Sequence, residues 1–210
     1  MPLFLLAVHL SDGVLTTAWS VSGYAGAALL LALAMWKVRE EEVPRIGVLT
    51  AAFFVASSVH IKLAVLPTSA HLILNGLVGV VLGRRAPLAI AIGLGLQFYL
   101  LGHGGQTTLG INTCIVSLPA LAAGALYPLL RRLGVPPFVR GVLLGGGAAA
   151  ASVGLNFLVL LYGGKEDWRV LAKLVLLTHV PIVILEGLML GVIVTYLEKV
   201  KPDMLGDRRA

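Results

Sequence analysis

Two histidines carry most of the chemical capacity of this chain. His9 lies in the run Val8-His9-Leu10-Ser11-Asp12-Gly13, and the distant His71 closes Pro67-Thr-Ser-Ala-His71. Both stand at the ends of apolar segments, as do His103 and His179, and Glu186 lies inside one. Ionisable groups are costly in such surroundings, so each is a candidate functional group. Any one of these histidines, taken alone, reads equally well as a packed residue. His9 precedes Ser11-Asp12-Gly13, a turn signal just before the first helix, and it has more to offer if the mature chain begins at residue 8. Its imidazole, its amide nitrogen and a terminal amine at Val8 would then close fused chelate rings on one ion. Imidazole suits nickel, copper, zinc and iron, and a planar nitrogen set favours Ni(II) or Cu(II). His71 lies in a break where irregular backbone can line a cavity, and there it would supply a fourth nitrogen.

The elements that must position these groups are membrane helices. The chain has 210 residues, of which 58% are hydrophobic and only 12% charged, with a mean hydropathy of +0.95. Soluble domains carry about 25% charged residues. The composition therefore excludes a soluble enzyme and predicts an all-α, polytopic membrane bundle forming a single domain over residues 8–210. A net charge of +6 would suggest nucleic acid in a soluble protein. Here the basic residues fall in short loops, where they set orientation instead. The single Cys114 cannot form an intrachain disulfide and reads as a small packed residue. No Gly-x-x-x-x-Gly-Lys-Ser/Thr loop is present, so the chain does not hydrolyse ATP itself.

Apolar runs predict seven membrane helices, over residues 14–36, 46–66, 72–83, 86–101, 109–130, 139–162 and 170–197. Pro181 predicts a kink in the last. Lys37, Arg45, Arg84-Arg85, Arg131-Arg132, Arg140 and the basic tail then share one side, while Lys165 and Arg169 lie on the other. The positive-inside rule puts the N-terminus outside and the C-terminus in the cytoplasm of a cell inner (plasma) membrane protein. Trp19, Trp36 and Trp168 read as interfacial anchors, and Lys62 as a residue snorkelling to the outer surface. Ala28/Ala32 and Gly141/Gly145 have the small-xxx-small spacing that allows close helix approach, within the bundle or against another subunit.

Together these motifs resemble the CbiM/NikM family, the substrate-binding membrane components of cobalt and nickel energy-coupling-factor transporters. The resemblance covers nearly the whole chain. It rests on Val8-His9-Leu10-Ser11-Asp12-Gly13-Val14-Leu15, on Ser58 through His71, and on Gln97 with His103-Gly-Gly-Gln-Thr-Thr-Leu-Gly-Ile-Asn112. It is completed by His179-Val-Pro-Ile182 with Glu186-Gly187. It implies a chain that imports Ni(II) or Co(II), needs no resident cofactor and is a transporter subunit rather than an enzyme. The implied ligands are the amine of residue 8, the amide and imidazole of His9, and His71, with Ser69 and Asn112 around them. The implied partners are two cytoplasmic ATPase subunits, a transmembrane coupling subunit and a small accessory membrane subunit. Ala28/Ala32 is the candidate face for the coupling subunit, and the imported cobalt would serve cobalamin biosynthesis.

The chain departs from the family pattern in three places. Residues 1–7 would take the terminal amine away from the site. They are expected to be an extension upstream of a start at codon 8, Val8 being one reading of GUG; a short leader cleaved after Ala7 is the other route to a free amine. Ala70 replaces a small polar residue, and Pro67 alters the turn before His71. Two other classes stand beside this reading. An intramembrane zinc hydrolase would use His179, Glu186 and another histidine, and a metal-free structural membrane subunit would use its histidines only for packing. His103 reads as a loop residue or a transient entry ligand.

Overall fold

Long uncharged runs become helices here because a helix satisfies every backbone N–H and C=O within its own segment, where no water can. The computed structural model describes residues 9–58, 60–62 and 69–205. Its helices are α1 (Thr17–Met35), α2 (Val43–Ser58), α3 (Asn75–Leu82), α4 (Ala86–Leu101), α5 (Leu109–Arg132), α6 (Pro137–Gly163), α7 (Arg169–Thr178) and α8 (Val180–Val200). Two three-residue strands, β1 (His60–Lys62) and β2 (Ser69–His71), form an antiparallel hairpin between α2 and α3.

Among the described residues, five helical stretches are long and apolar enough to cross a membrane: Thr17–Met35, Asn75–Leu101, Leu109–Arg132, Pro137–Gly163 and Arg169–Val200. The sequence predicts seven, and the difference lies in two short helices. α2 has 16 residues and α3 has eight, against about 20 for a full span. The second stretch joins α3 to α4 through a 3-10 turn, Gly83–Arg85, and the last joins α7 to α8.

The predicted second helix stops at Ser58 instead of residue 66, which puts Lys62 in β1 rather than on a helix. In its last turn the Ser57 and Ser58 hydroxyls donate back to the carbonyls of Phe53 and Phe54, bonds that compete with the helix ladder. Strand pairing then takes over from helix. The predicted seventh helix divides at His179, two residues before Pro181, which sits in the first turn of α8 where its missing N–H is harmless.

α3 runs in the same direction as α5. The Asn75 amide donates to the Val116 carbonyl, Gly79 lies against Ala120, and Gly83 against Gly124. Since α5 begins at Leu109, α3 begins roughly 10 Å farther along, part-way into the bundle. α4 turns back, with Gly83 at a φ of 53° making the reversal, and packs beside α2 through Phe53–Gly93 and Ser57–Gln97. Small residues set these distances. A Cβ on Gly79 would lie 1.9 Å from the Ala120 carbonyl oxygen, and one on Gly141 2.4 Å from that of Leu190. Gly141 and Gly145 therefore pack α6 on α8 inside the bundle, whereas Ala28 and Ala32 are exposed.

The tryptophans divide. Trp36 is exposed, but Trp19 and Trp168 are half-buried and fill the space left by Gly163 and Gly164. Two ion pairs, one buried and one partly buried, close the end opposite the N-terminal segment. Arg85 donates to Glu42 and to the carbonyls of Ala34, Trp36 and Lys37 at 2.5–2.8 Å, capping the end of α1. Arg140 and Tyr127 both reach Glu198, at 2.6 and 2.5 Å.

Gly79→Ala is expected to cost at least about 1–3 kcal/mol, the usual range for overpacking, because only backbone stands in the way. Gly47→Ala, with nothing within 4 Å of the added carbon, should be neutral or stabilising. Thermal unfolding in detergent distinguishes the two.

Candidate metal centre

The N-terminal segment enters the bundle as irregular backbone, and side chains of α5 and the turn before it hold it there. Asn112 lies in the first turn of α5. Its Oδ1 accepts the Leu10 N–H at 2.9 Å and its Nδ2 donates to the Leu10 carbonyl at 2.9 Å. The Thr108 hydroxyl donates to the same carbonyl at 2.5 Å. A side-chain amide thus pairs with one residue as a neighbouring strand would. Gly105 permits the approach, since a Cβ there would lie 2.3 Å from the Asp12 nitrogen. Downstream, Thr16 donates to the Gly163 carbonyl and Lys165 to that of Val14, both at 2.9 Å.

Asp12 forms a second hold. Its carboxylate accepts the Thr107 hydroxyl at 2.5 Å, the Thr107 N–H at 2.6 Å and the Gln106 N–H at 3.0 Å. Burial pushes its pKa up, but these bonds outweigh burial and hold the carboxyl below its ordinary value. The Asp12-Gly13 pair also makes the expected turn, with Gly13 at a φ of 83°.

This docking brings His9 against His71. Their rings stack with centroids 4.8 Å apart and planes 23° from parallel, and the residues are 3% and 0% exposed. Imidazoles on adjacent positions of one ion, with bonds of about 2 Å, have ring centroids about 4.5 Å apart, so the spacing of this pair is compatible with a shared metal. His71 Nδ1 is 2.9 Å from the Leu72 carbonyl oxygen. A carbonyl only accepts, so Nδ1 carries the proton and Nε2 presents the lone pair. Metal-binding imidazoles are commonly oriented in this way. Among the described residues no three His, Cys, Asp or Glu side chains gather around a common point. Two imidazoles do not by themselves fill a coordination sphere.

The other expected residues fall as follows. Val8 lies outside the described residues. Ser69 stands in β2, opposite Lys62. Asn112, expected beside the ligands, grips the backbone of Leu10. His103 is half-buried in the turn after α4, and its N–H donates to the Gln97 carbonyl. His179 Nδ1 donates to the Val175 carbonyl at 2.7 Å, tying the junction of α7 and α8. Glu186 accepts the backbone N–H groups of Ile73 and Leu74. That use of Glu186, with the absence of a three-residue cluster among the described residues, leaves the zinc-hydrolase reading without a site.

Two contributions escape the sequence reading. Asp12 reads there only as a turn residue, although Thr107, which receives it, lies in a motif already singled out. His60 attracts no notice, yet its backbone stands directly across the β1–β2 ladder from His71.

The chain is similar to known transport proteins. Residues 9–204 match the family model "Cobalt uptake substrate-specific transmembrane region", CbiM. The chain is 35% identical to a Haemophilus influenzae protein named "Putative metal transport protein", over 94% of this chain and 97% of that one. It is 28% identical to the "Putative fused cobalt transport protein CbiMQ" of Methanocorpusculum labreanum, over 94% of this chain but 36% of the fused protein. A crystal structure of a transition metal transporter shares the fold, with a TM-score of 0.79 and 20% identity over 91% of this chain and 93% of that one.

Asn112→Ala should release Leu10 and weaken Ni(II) or Co(II) binding by about 10–100-fold, the usual effect of losing a group that orients a ligand; metal titration reads it. Asp12 gives a pH signature. Its folded-state value is lowered, so its contribution is complete above the ordinary carboxylate value and is lost as pH falls through the lowered one. Between about pH 6 and about pH 3 the melting temperature should fall more in the natural chain than in Asp12→Asn.

Proposed function

The chain belongs to the CbiM family of cobalt-uptake transmembrane proteins, and we propose that it is the subunit that receives Ni(II) or Co(II) at the outer side of the cell membrane. It is a multi-pass membrane protein of a transport family rather than an enzyme. The buried, stacked pair His9–His71 is the single observation that carries the metal-site reading.

In this reading the ion takes the imidazoles of His9 and His71, the amide nitrogen of His9 and the amine of Val8 where the mature chain begins there. Ser69 and Asn112 belong to the surroundings that orient them. Nitrogen donors discriminate against Mg²⁺ and Ca²⁺, which prefer oxygen, and a planar set suits Ni(II). The basic residues put the ends of α1, α3 and α5 and the start of α6 in the cytoplasm, and the N-terminal segment outside, in a topology of seven crossings. Two of those crossings, α2 and α3, are short because the chain breaks between them to form the site.

The chain has no phosphate-binding loop of its own, so energy comes from partners: two ATPase subunits, a coupling membrane subunit and a small accessory membrane subunit. The name of the fused relative supports this, since this chain accounts for about a third of that protein. The exposed Ala28/Ala32 face of α1 is the proposed contact for the coupling subunit. Small residues there let a partner helix approach closely.

Titration of the purified chain with Ni(II) and Co(II), followed by absorption, tests the site. One-to-one binding is expected. His9→Ala and His71→Ala should each lose more than about 100-fold in affinity, beyond what loss of an orienting contact costs. A version starting with Met in place of Val8 should bind more tightly than one starting at Met1 and show a square-planar Ni(II) spectrum. Unchanged affinity in both histidine variants would overturn the proposal.

A further inference from the structure

His71 is held by a group far away in sequence. Residues 72–74 belong to no helix or strand, and Leu74 has a φ of 51°, left-handed backbone that is costly for a leucine. Such a conformation persists only where surrounding contacts impose it. The contact is Glu186 on α8. Its Oε1 accepts the Ile73 N–H at 2.5 Å and the Leu74 N–H at 2.8 Å. These are free N–H groups at the start of α3, where the helix dipole also favours a negative charge.

The Ile73 N–H and the Leu72 carbonyl belong to one planar peptide unit. That carbonyl accepts the proton on His71 Nδ1. The order is therefore carboxylate, peptide plane, imidazole. Turning the peptide plane turns the acceptor that fixes the His71 ring and its tautomer. Glu186 itself has little freedom. It is 2% exposed, and α8 is pressed onto α6 at this level, where a Cβ on Gly145 would lie 2.6 Å from the Glu186 carbonyl oxygen.

We propose that Glu186 is a positioning residue of the metal site, acting on His71 through the Leu72–Ile73 peptide plane and contributing no ligand atom. The inference rests on the metal-site reading for its consequence in binding, but the relay itself exists without metal. Carboxylates that orient metal-binding histidines directly are common, and here one peptide unit is interposed. What the relay requires of residue 186 is an acceptor oxygen at the right reach. Charge is secondary.

Two measurements on the full-length chain in detergent separate the possibilities. In the metal-free protein, ¹⁵N NMR of the imidazoles reads the His71 tautomer. Glu186→Gln keeps an oxygen at the same reach and should retain the Nδ1–H form. Glu186→Leu should lose that preference, and Glu186→Asp, one methylene short, should lose part of it. Titration with Ni(II) then reads the consequence: about a 10–100-fold loss of affinity and a shifted ligand-field band for Glu186→Leu, with most of both recovered in Glu186→Gln. If Glu186→Leu does not fold, the order of the other two decides, with Gln expected above Asp. Natural tautomer and affinity in Glu186→Leu would overturn the inference, as would Asp binding better than Gln. A natural chain that binds no Ni(II) or Co(II) would overturn the metal-site reading instead, and the NMR result would still judge the relay.

Discussion

Backbone that is neither helix nor sheet can lie inside a membrane protein only if each of its N–H and C=O groups finds a partner there. Two such segments meet in this bundle, 9–16 from the N-terminus and 72–74 from the break before α3. Neither can pair with itself. Asn112 and Thr108 at Leu10, and the Gly163–Lys165 backbone at Val14 and Thr16, pair with the first, and Glu186 receives the N–H groups of Ile73 and Leu74 in the second. The two histidines are neighbours because these segments are held. Their stacking is thus a consequence of hydrogen bonds made to residues about 100 positions away in sequence.

Close helix packing makes that arrangement stiff. α3 is only eight residues long, yet its glycines let it lie against the backbone of α5 and α6, and Asn75 reaches Val116, Ala148 and Ser152 from one amide. In lipid, such contact between backbones takes the place that apolar burial has in water. The far ends are joined by ion pairs, Arg85–Glu42, which is buried, and Arg140–Glu198, which is partly buried. Breaking the buried pair would leave an uncompensated charge, which ties those ends together. α1 packs closely on α5, where a Cβ on Gly23 would lie 2.7 Å from Ile111, but its other face is open, with Ala28, Ala32, Leu29 and Leu33 exposed.

In the proposed reading the ion is cargo, held between two segments that are anchored separately, His9 through Leu10 on Asn112 and His71 through the backbone that Glu186 receives.

Much of this was legible in the sequence, for definite reasons. Membrane character followed from 58% hydrophobic and 12% charged residues, because no soluble fold can bury so much. Helix positions followed from runs of apolar residues, and His9 and His71 stood out because ionisable groups are rare in such runs. Spacing could not show that the second helix ends at Ser58, since that depends on β1 finding β2. It could not separate Gly141/Gly145 from Ala28/Ala32, because the motif is the same and only the neighbour differs. The roles of Asp12, Asn112 and Glu186 were equally hidden: a carboxylate or an amide reads the same whether it holds metal, charge or backbone. The partners that hold these segments lie 94 to 113 positions away, and only the folded chain brings them within 3.0 Å. Sequence determined which residues are too costly to be idle; tertiary structure decided what each of them holds.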